Sequence, residues 1–231
     1  MTAHKNRLYQ ILGGAFFLQA LIPLVGGLLF SSLESEDIET TMTNLISHVS
    51  TVYISMILWI VAAVVVVVLG AALYRTAGHI NPTAALIGFG LYLFEAVLVI
   101  VGQAFVYGLL KSSQLYLTNG DTGLASLGAA LLSGRHFAGE IAMVPFGVGA
   151  ILFYSLLLKA GTIPKWLAIY GLITAPLILI FIPLGTFGVA TPFALCCPYV
   201  PFEFFTGIFL LAKYRKSADP VRTAEQKELL A

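Results

Sequence analysis

The sequence predicts an all-α fold, a polytopic membrane helix bundle with six transmembrane helices, and three observations carry that expectation. Hydrophobic residues make up 59% of the 231 residues and charged ones 10%, with a mean hydropathy of +0.95. Soluble domains are roughly a quarter charged, so this composition lies outside their class. The apolar residues also fall into runs long enough for helices of ~20 residues to cross a hydrocarbon layer of ~30 Å. Finally, the lysines and arginines gather in alternate connections, as they do in multi-pass proteins.

The first seven residues are polar and basic, and residues 8–30 form the first span. The run is too long for the apolar core of a cleaved leader, and Phe30-Ser31-Ser32 is a poor cleavage site, so it is expected to be retained. Gly13, Gly14, Gly26 and Gly27 read as close-packing positions. Residues 31–50 carry Glu34, Glu36, Asp37 and Glu39 without a lysine or arginine, and have room for a short interfacial helix. Residues 51–74 make the second span. Its five consecutive valines would favour a strand in water, but a lone strand cannot satisfy its backbone in lipid.

Asn81-Pro82 starts the third span, 82–110, with a side-chain acceptor at the cap and a proline in the first turn. Residues 111–135 form the longest hydrophilic segment. Within it, 124–132 is apolar but too short to cross, and is expected to lie at the interface or cap the bundle. The remaining spans are 136–158, 165–185 and 192–212, with Thr162-Ile163-Pro164 restarting the helix between the fourth and fifth. One transmembrane domain, 1–212, is followed by a charged tail, 213–231. With six crossings, Lys111 and Arg135 fall on one side, and the other ten of the 12 basic residues on the opposite one. That bias predicts two cytoplasmic termini.

Three runs carry one glutamate each: Glu95, Glu140 and Glu203. An ionised group at mid-bilayer costs about 2.5–3.5 kcal/mol on the mildest scale, so each needs neutralisation, a partner or water. By position along their runs, Glu95 and Glu203 sit near the middle, while Glu140 is roughly 7 Å from the end of its helix. Helical offsets put Tyr92 and Gln103 on the face of Glu95. His136 stands four residues before Glu140, close enough to share a proton with it or, as the weaker reading, a metal. Tyr199 stands four before Glu203, which follows Pro198-x-x-Pro201 and is expected in the first turn of a resumed helix. Each acid also has a purely structural reading, as a neutral group hydrogen-bonded between helices. Ser55 and Trp59 share a face of the second span, and Trp166 beside Lys165 fits an interfacial anchor. The adjacent Cys196 and Cys197 exclude a disulfide framework and read as small apolar fillers.

Several features together resemble the bacterial DUF4386 family of integral membrane proteins of unknown function. They are the step Tyr92-Leu93-Phe94-Glu95-Ala96, the connection from Leu156 through Lys159-Ala160-Gly161-Thr162-Ile163-Pro164-Lys165 to Gly171, and the late acid Glu203. The resemblance covers almost the whole chain. It implies a multi-pass protein of the bacterial inner membrane, and it aligns Glu95 and Glu203 with the family's third-span and last-span acids. The chain departs from the pattern where the family often has an arginine three residues before the first acid, here Tyr92, and a glycine before the second, here Phe202. Loss of the arginine weakens the case for an ion pair at Glu95.

For function, the residues favour an intramembrane ligand- or ion-binding cavity lined by Glu95 and Glu203, of transporter or receptor type. A membrane-embedded enzyme acting on a lipid or hydrophobic substrate is the second reading, without an HExxH, a CxxC or a serine–histidine arrangement behind it. A structural or accessory subunit is the third. The expected partners are the bilayer and a small hydrophobic or cationic ligand, and self-association stays open. The sequence leaves any cofactor unknown, and with a net charge of +1 and no basic patch before the tail, nucleic acid has nothing to bind.

Overall fold

The computed structural model describes residues 3–186 and 198–215. They form seven helices and, among the described residues, no strand: α1 (Ala3–Ser31), α2 (Ile38–Ser47), α3 (Val49–Ala77), α4 (Pro82–Asn119), α5 (Thr122–Ala160), α6 (Lys165–Thr186) and α7 (Tyr199–Arg215). Five of them, all but α2 and α7, are long and apolar enough to cross a membrane. Their outward faces carry Leu28, Ile57, Val64, Leu86, Phe94, Ile173 and many other exposed large hydrophobic residues. So continuous an apolar surface is matched by lipid, not by water. The protein is a multi-pass membrane protein.

Each long helix packs on the next in the chain, α1 on α3, α3 on α4, α4 on α5 and α5 on α6. Helix α7 then packs on α1 and touches α6, which closes the bundle into a ring. Leaving out α2, neighbouring helices run in opposite directions, as the pairings of Gly70 with Tyr92, Gly88 with Phe153 and Gly147 with Leu179 show. The start of α1 therefore meets the end of α7, where Tyr9 stacks on Tyr214 at 4.4 Å and Gln10 Nε2 donates to the Tyr214 carbonyl. The turns at 78–81 and 161–164 belong to this same end.

Sequence chemistry sets these boundaries. Asn81 Oδ1 accepts from Ala84 N at 3.0 Å, and Pro82 opens α4, as the cap signal predicts. Gly161, at φ 61°, ends α5 in the left-handed region, and α6 restarts at Lys165 after Pro164. Small residues set the closest approach. A Cβ on Gly207 of α7 would lie 2.8 Å from Phe17 N and 2.9 Å from the Gly13 carbonyl oxygen of α1. Gly26 packs on Leu58 and Trp59, and Ser55 Oγ donates to its carbonyl at 2.8 Å. Ser55 and Trp59 thus belong to the α1–α3 interface. Gly14, by contrast, has open space at its Cβ position, and Gly27 meets only Trp59.

The largest departure from the sequence reading is at 111–135. Helix α4 does not stop near residue 110 but continues to Asn119, and residues 124–132 are the opening turns of α5. Gly120, at φ 66°, and Asp121, whose Oδ1 accepts from Gly123 N, make the reversal. At about 1.5 Å per residue the two helices are each nearly 60 Å long, about twice the ~30 Å of a hydrocarbon core. The distal part of this hairpin, with α2 laid against it, has its own small core of Phe30, Leu33, Met42, Leu45, Val106, Leu109 and Ala125. Asp37 caps α2 by accepting from Thr40 N at 2.8 Å. The proposed start of the last span at 192–197, the Cys196-Cys197 pair and most of the tail lie outside the described residues.

Candidate functional site

Two groups of acids matter, one at the centre of the ring and one at the hairpin end. At the centre, α4 turns a face of small and polar residues inward, with Gly88, Tyr92, Glu95, Ala96, Val99, Gly102 and Gln103 all buried. The spacing of three and four residues makes this one stripe. From across the ring α7 brings Phe202, Glu203 and Thr206, α1 brings Gln19, and α5 brings Tyr154. Glu95 and Glu203 are each 1% exposed. Gln19 Nε2 donates to Glu95 Oε1 at 3.4 Å, a long contact. The two carboxyls feel each other electrostatically, and both act on the Tyr92 and Tyr154 hydroxyls.

The geometry leaves a set of buried polar atoms unmatched. Glu95 Oε2, Glu203 Oε1, Gln19 Oε1, Tyr92 Oη, Tyr154 Oη and Thr206 Oγ1 have no hydrogen-bond partner within 3.5 Å, although the Tyr92 and Tyr154 hydroxyls face each other beyond that distance. All six are oxygens. Native interiors satisfy the great majority of such groups, and each exception calls for a physical reason. Among the described residues, the buried polar and charged side chains include no lysine, arginine or histidine. Tyr92, three residues before Glu95 on the same helix, offers it no counter-charge.

Aromatic rings wall this centre. Tyr154 lies 4.2 Å from Phe202, Tyr92 packs edge-on to Phe153 at 5.3 Å, and Phe16 meets Phe202 edge-on. The rings fit because glycines face them. A Cβ on Gly171 would come within 2.6 Å of the Phe202 ring, and one on Gly149 within 2.8 Å of Tyr92. Tyr199 joins from the start of α7, its ring 5.4 Å from Phe146, and Tyr170 donates to the Pro198 carbonyl at 2.6 Å. Glu203 is not in the first turn of its helix. Helix α7 begins at Tyr199, so the unpaired N–H groups of its first turn belong to Tyr199, Val200 and Phe202, Pro201 having none.

Gln103 is also buried, roughly 12 Å further along α4 from Glu95 by helix rise, beside Gly102 where that helix faces Ala138. Glu140 lies half-buried on α5, one turn from His136. The ring of His136 meets Glu34: its Nε2 is 2.8 Å from Glu34 Oε1, and Arg135 Nη1 donates to the same oxygen at 3.1 Å. The Arg135 guanidinium also lies over the Phe30 ring, 3.9 Å from its centroid. Burial pushes the Glu34 carboxyl up, but the His136 hydrogen bond and the Arg135 and His136 charges outweigh this and hold it below the ordinary glutamate value. Among the described residues, no three His, Cys, Asp or Glu side chains gather as a metal-ligand group.

The structure thus unites Glu95, Tyr92 and Glu203, sets Tyr199 at their edge, and leaves Gln103, Glu140 and His136 nearer the hairpin. Sequence reasoning missed Gln19, Tyr154 and Glu34. The placing of Gln19 midway along the apolar run of α1, which also holds Gln10 near its start, was the one available signal for the first. The family model for DUF4386, a domain of unknown function, matches residues 11–213. No characterised protein and no solved structure matches the chain. A match over that much of the sequence, on a helical membrane bundle with the expected pair of buried acids, makes the chain a member of the DUF4386 family.

Proposed function

We propose that the protein is a six-crossing component of the bacterial inner membrane, with both termini cytoplasmic, whose central acid pair binds protons or a cationic ligand in a transporter- or receptor-type cavity. The carrying observation is that Glu95 and Glu203 are buried together with no buried base among the described residues and with an unmatched oxygen each. Two carboxylates in a low-dielectric interior must take up protons or a cation. Intramembrane acids of this kind mark proton and ion pathways more often than inert packing. The topology is supported by the alternating helix directions and by charge: Arg7, Arg75, Lys159, Lys165 and Lys213 lie at one end of the bundle, and Lys111 and Arg135 toward the other. The sixth crossing in this reading is the run 192–212, of which α7 forms the later part.

Infrared difference spectra of the purified protein, recorded between acid and alkaline pH, test the reading. A carbonyl band from protonated carboxyl groups in apolar surroundings is expected to titrate and to lose part of its intensity in Glu95→Gln and in Glu203→Gln. A spectrum identical in the wild type and both variants would remove the proposal. Cysteine labelling from either side of intact cells checks the topology, with residues 36 and 218 expected on opposite faces.

A further inference from the structure

The central cluster constrains what it can hold by charge, by atom type and by size. When its two acids are ionised, no buried base among the described residues offsets their charge. The unmatched atoms are all oxygens, from two carboxyls, three hydroxyls and an amide, and the cluster's side-chain amide N–H already points at Glu95. Such a set suits a hard cation, which takes carboxylate, carbonyl and hydroxyl oxygens and needs no nitrogen or sulfur. The packing limits size. Phe202 and Tyr154 press on Gly171, and Tyr92 presses on Gly149, at distances where not even a methyl group would fit. An organic ammonium ion would have to displace these rings, and a monatomic ion asks for the least room. Magnesium gives up its water reluctantly, and calcium binds tightly where several carboxylates surround it. Two carboxyls with neutral oxygens favour a monovalent ion.

We propose that the centre between α1, α4, α5 and α7 is a sodium site, with Glu95 and Glu203, which keep one proton between them, as the carboxyl ligands and Gln19, Tyr154 and Thr206 as the neutral oxygen donors. This inference rests on the reading of the acid pair as a binding centre and narrows its ligand to one small alkali cation. Thr206 lies one turn beyond Glu203 on the same face of α7, which lets both reach one ion.

Thermal unfolding of the detergent-solubilised full chain at constant ionic strength tests it, with sodium chloride exchanged for choline, potassium or calcium chloride. A saturable rise in the midpoint of roughly 5 °C or more is expected at a hundredfold excess of sodium over Kd. Choline should give none and potassium a smaller one. Thr206→Val and Glu203→Gln should abolish the rise, while Glu34→Gln at the hairpin end should keep it. Direct binding of radioactive sodium to the same variants covers the case in which a substitution impairs folding. Equal shifts with sodium and choline, or a shift with calcium alone, would overturn the sodium assignment. An infrared carboxyl band that titrates normally, beside a protein indifferent to sodium, would sink this inference while leaving the proton-binding reading intact. Failure of both measurements would sink the two together.

Discussion

Glu34 and Glu95 are both partly or wholly removed from water, yet the fold treats them in opposite ways. At the hairpin end, one oxygen of Glu34 receives Arg135 and faces His136 within hydrogen-bond distance. At the centre, Glu95 is more deeply buried and has only a long contact from Gln19. A chain that places a base beside its peripheral acid and a tyrosine beside its central one is not short of ways to pair charge. The difference shows where the fold closes its electrostatics internally and where it leaves them to be closed by something else. Packing differs in the same sense: the centre is walled by rings, and the hairpin core by flexible side chains such as Met42.

The packing contrast gives the largest expected effect. Gly171→Ala drives a methyl into the Phe202 and Tyr154 rings at 2.6–2.9 Å, and is expected to cost about 3 kcal/mol. Gly128→Ala meets the Met42 sulfur at 2.8 Å, but a thioether can swing away, so about 1 kcal/mol is expected there. Gly14→Ala, with open space around it, should change stability by less than about 0.5 kcal/mol. Thermal midpoints in one detergent rank the three, and equal losses at positions 171 and 128 would erase the contrast.

Charge gives the next effects. Arg135→Met keeps an apolar stem over Phe30 but strands Glu34, and a loss of about 1–2 kcal/mol is expected. Glu34→Gln should cost less, about 0.5–1 kcal/mol, because the pair is partly screened by solvent. Glu95→Gln should cost nothing in sodium-free buffer, since the amide keeps the shape and removes a group that has no counter-charge. A midpoint that falls further for Glu95→Gln than for Glu34→Gln would mean that the central acid is the structurally committed one.

Much of this architecture was legible in the sequence, because hydropathy and cap chemistry act locally. Asn81-Pro82 and Gly161 through Pro164 announce their helix ends, and the offsets around Glu95 place Tyr92 on its face. The hairpin was misread because polarity rises at Lys111 while the helix does not end. Its true stop is Asn119-Gly120-Asp121, a left-handed glycine followed by a capping aspartate, which is itself a readable signal. The pairing of Glu34 with Arg135 and His136 joins residues about a hundred positions apart, and no periodicity encodes it. Nor does any local pattern announce Tyr154, which reaches the acids only because α5 packs beside α4 with glycines at the contact. Glu95 and Glu203 were paired by depth alone, and the ring closure of α7 on α1 is what makes that pairing physical.

The smallest effect is the most specific to the hairpin end. Glu34 is held below its ordinary value in the folded protein, so it binds a proton less readily there than in the unfolded chain. Its stabilising contribution is therefore complete above the unfolded value near ~4.3 and is lost as pH falls through the lower, folded value. For a carboxyl 23% exposed the contribution after screening is about 0.5 kcal/mol. In midpoint-against-pH profiles, the gap between wild type and Glu34→Gln should thus be constant above pH ~5 and close at more acid pH. His136→Gln keeps a donor within reach of Glu34, and should reduce the gap without removing it, since Arg135 remains in place. A gap that persisted unchanged into strong acid would show that Glu34 acts through its shape and not its charge. The hairpin end would then no longer be the charge-paired counterpart of the centre.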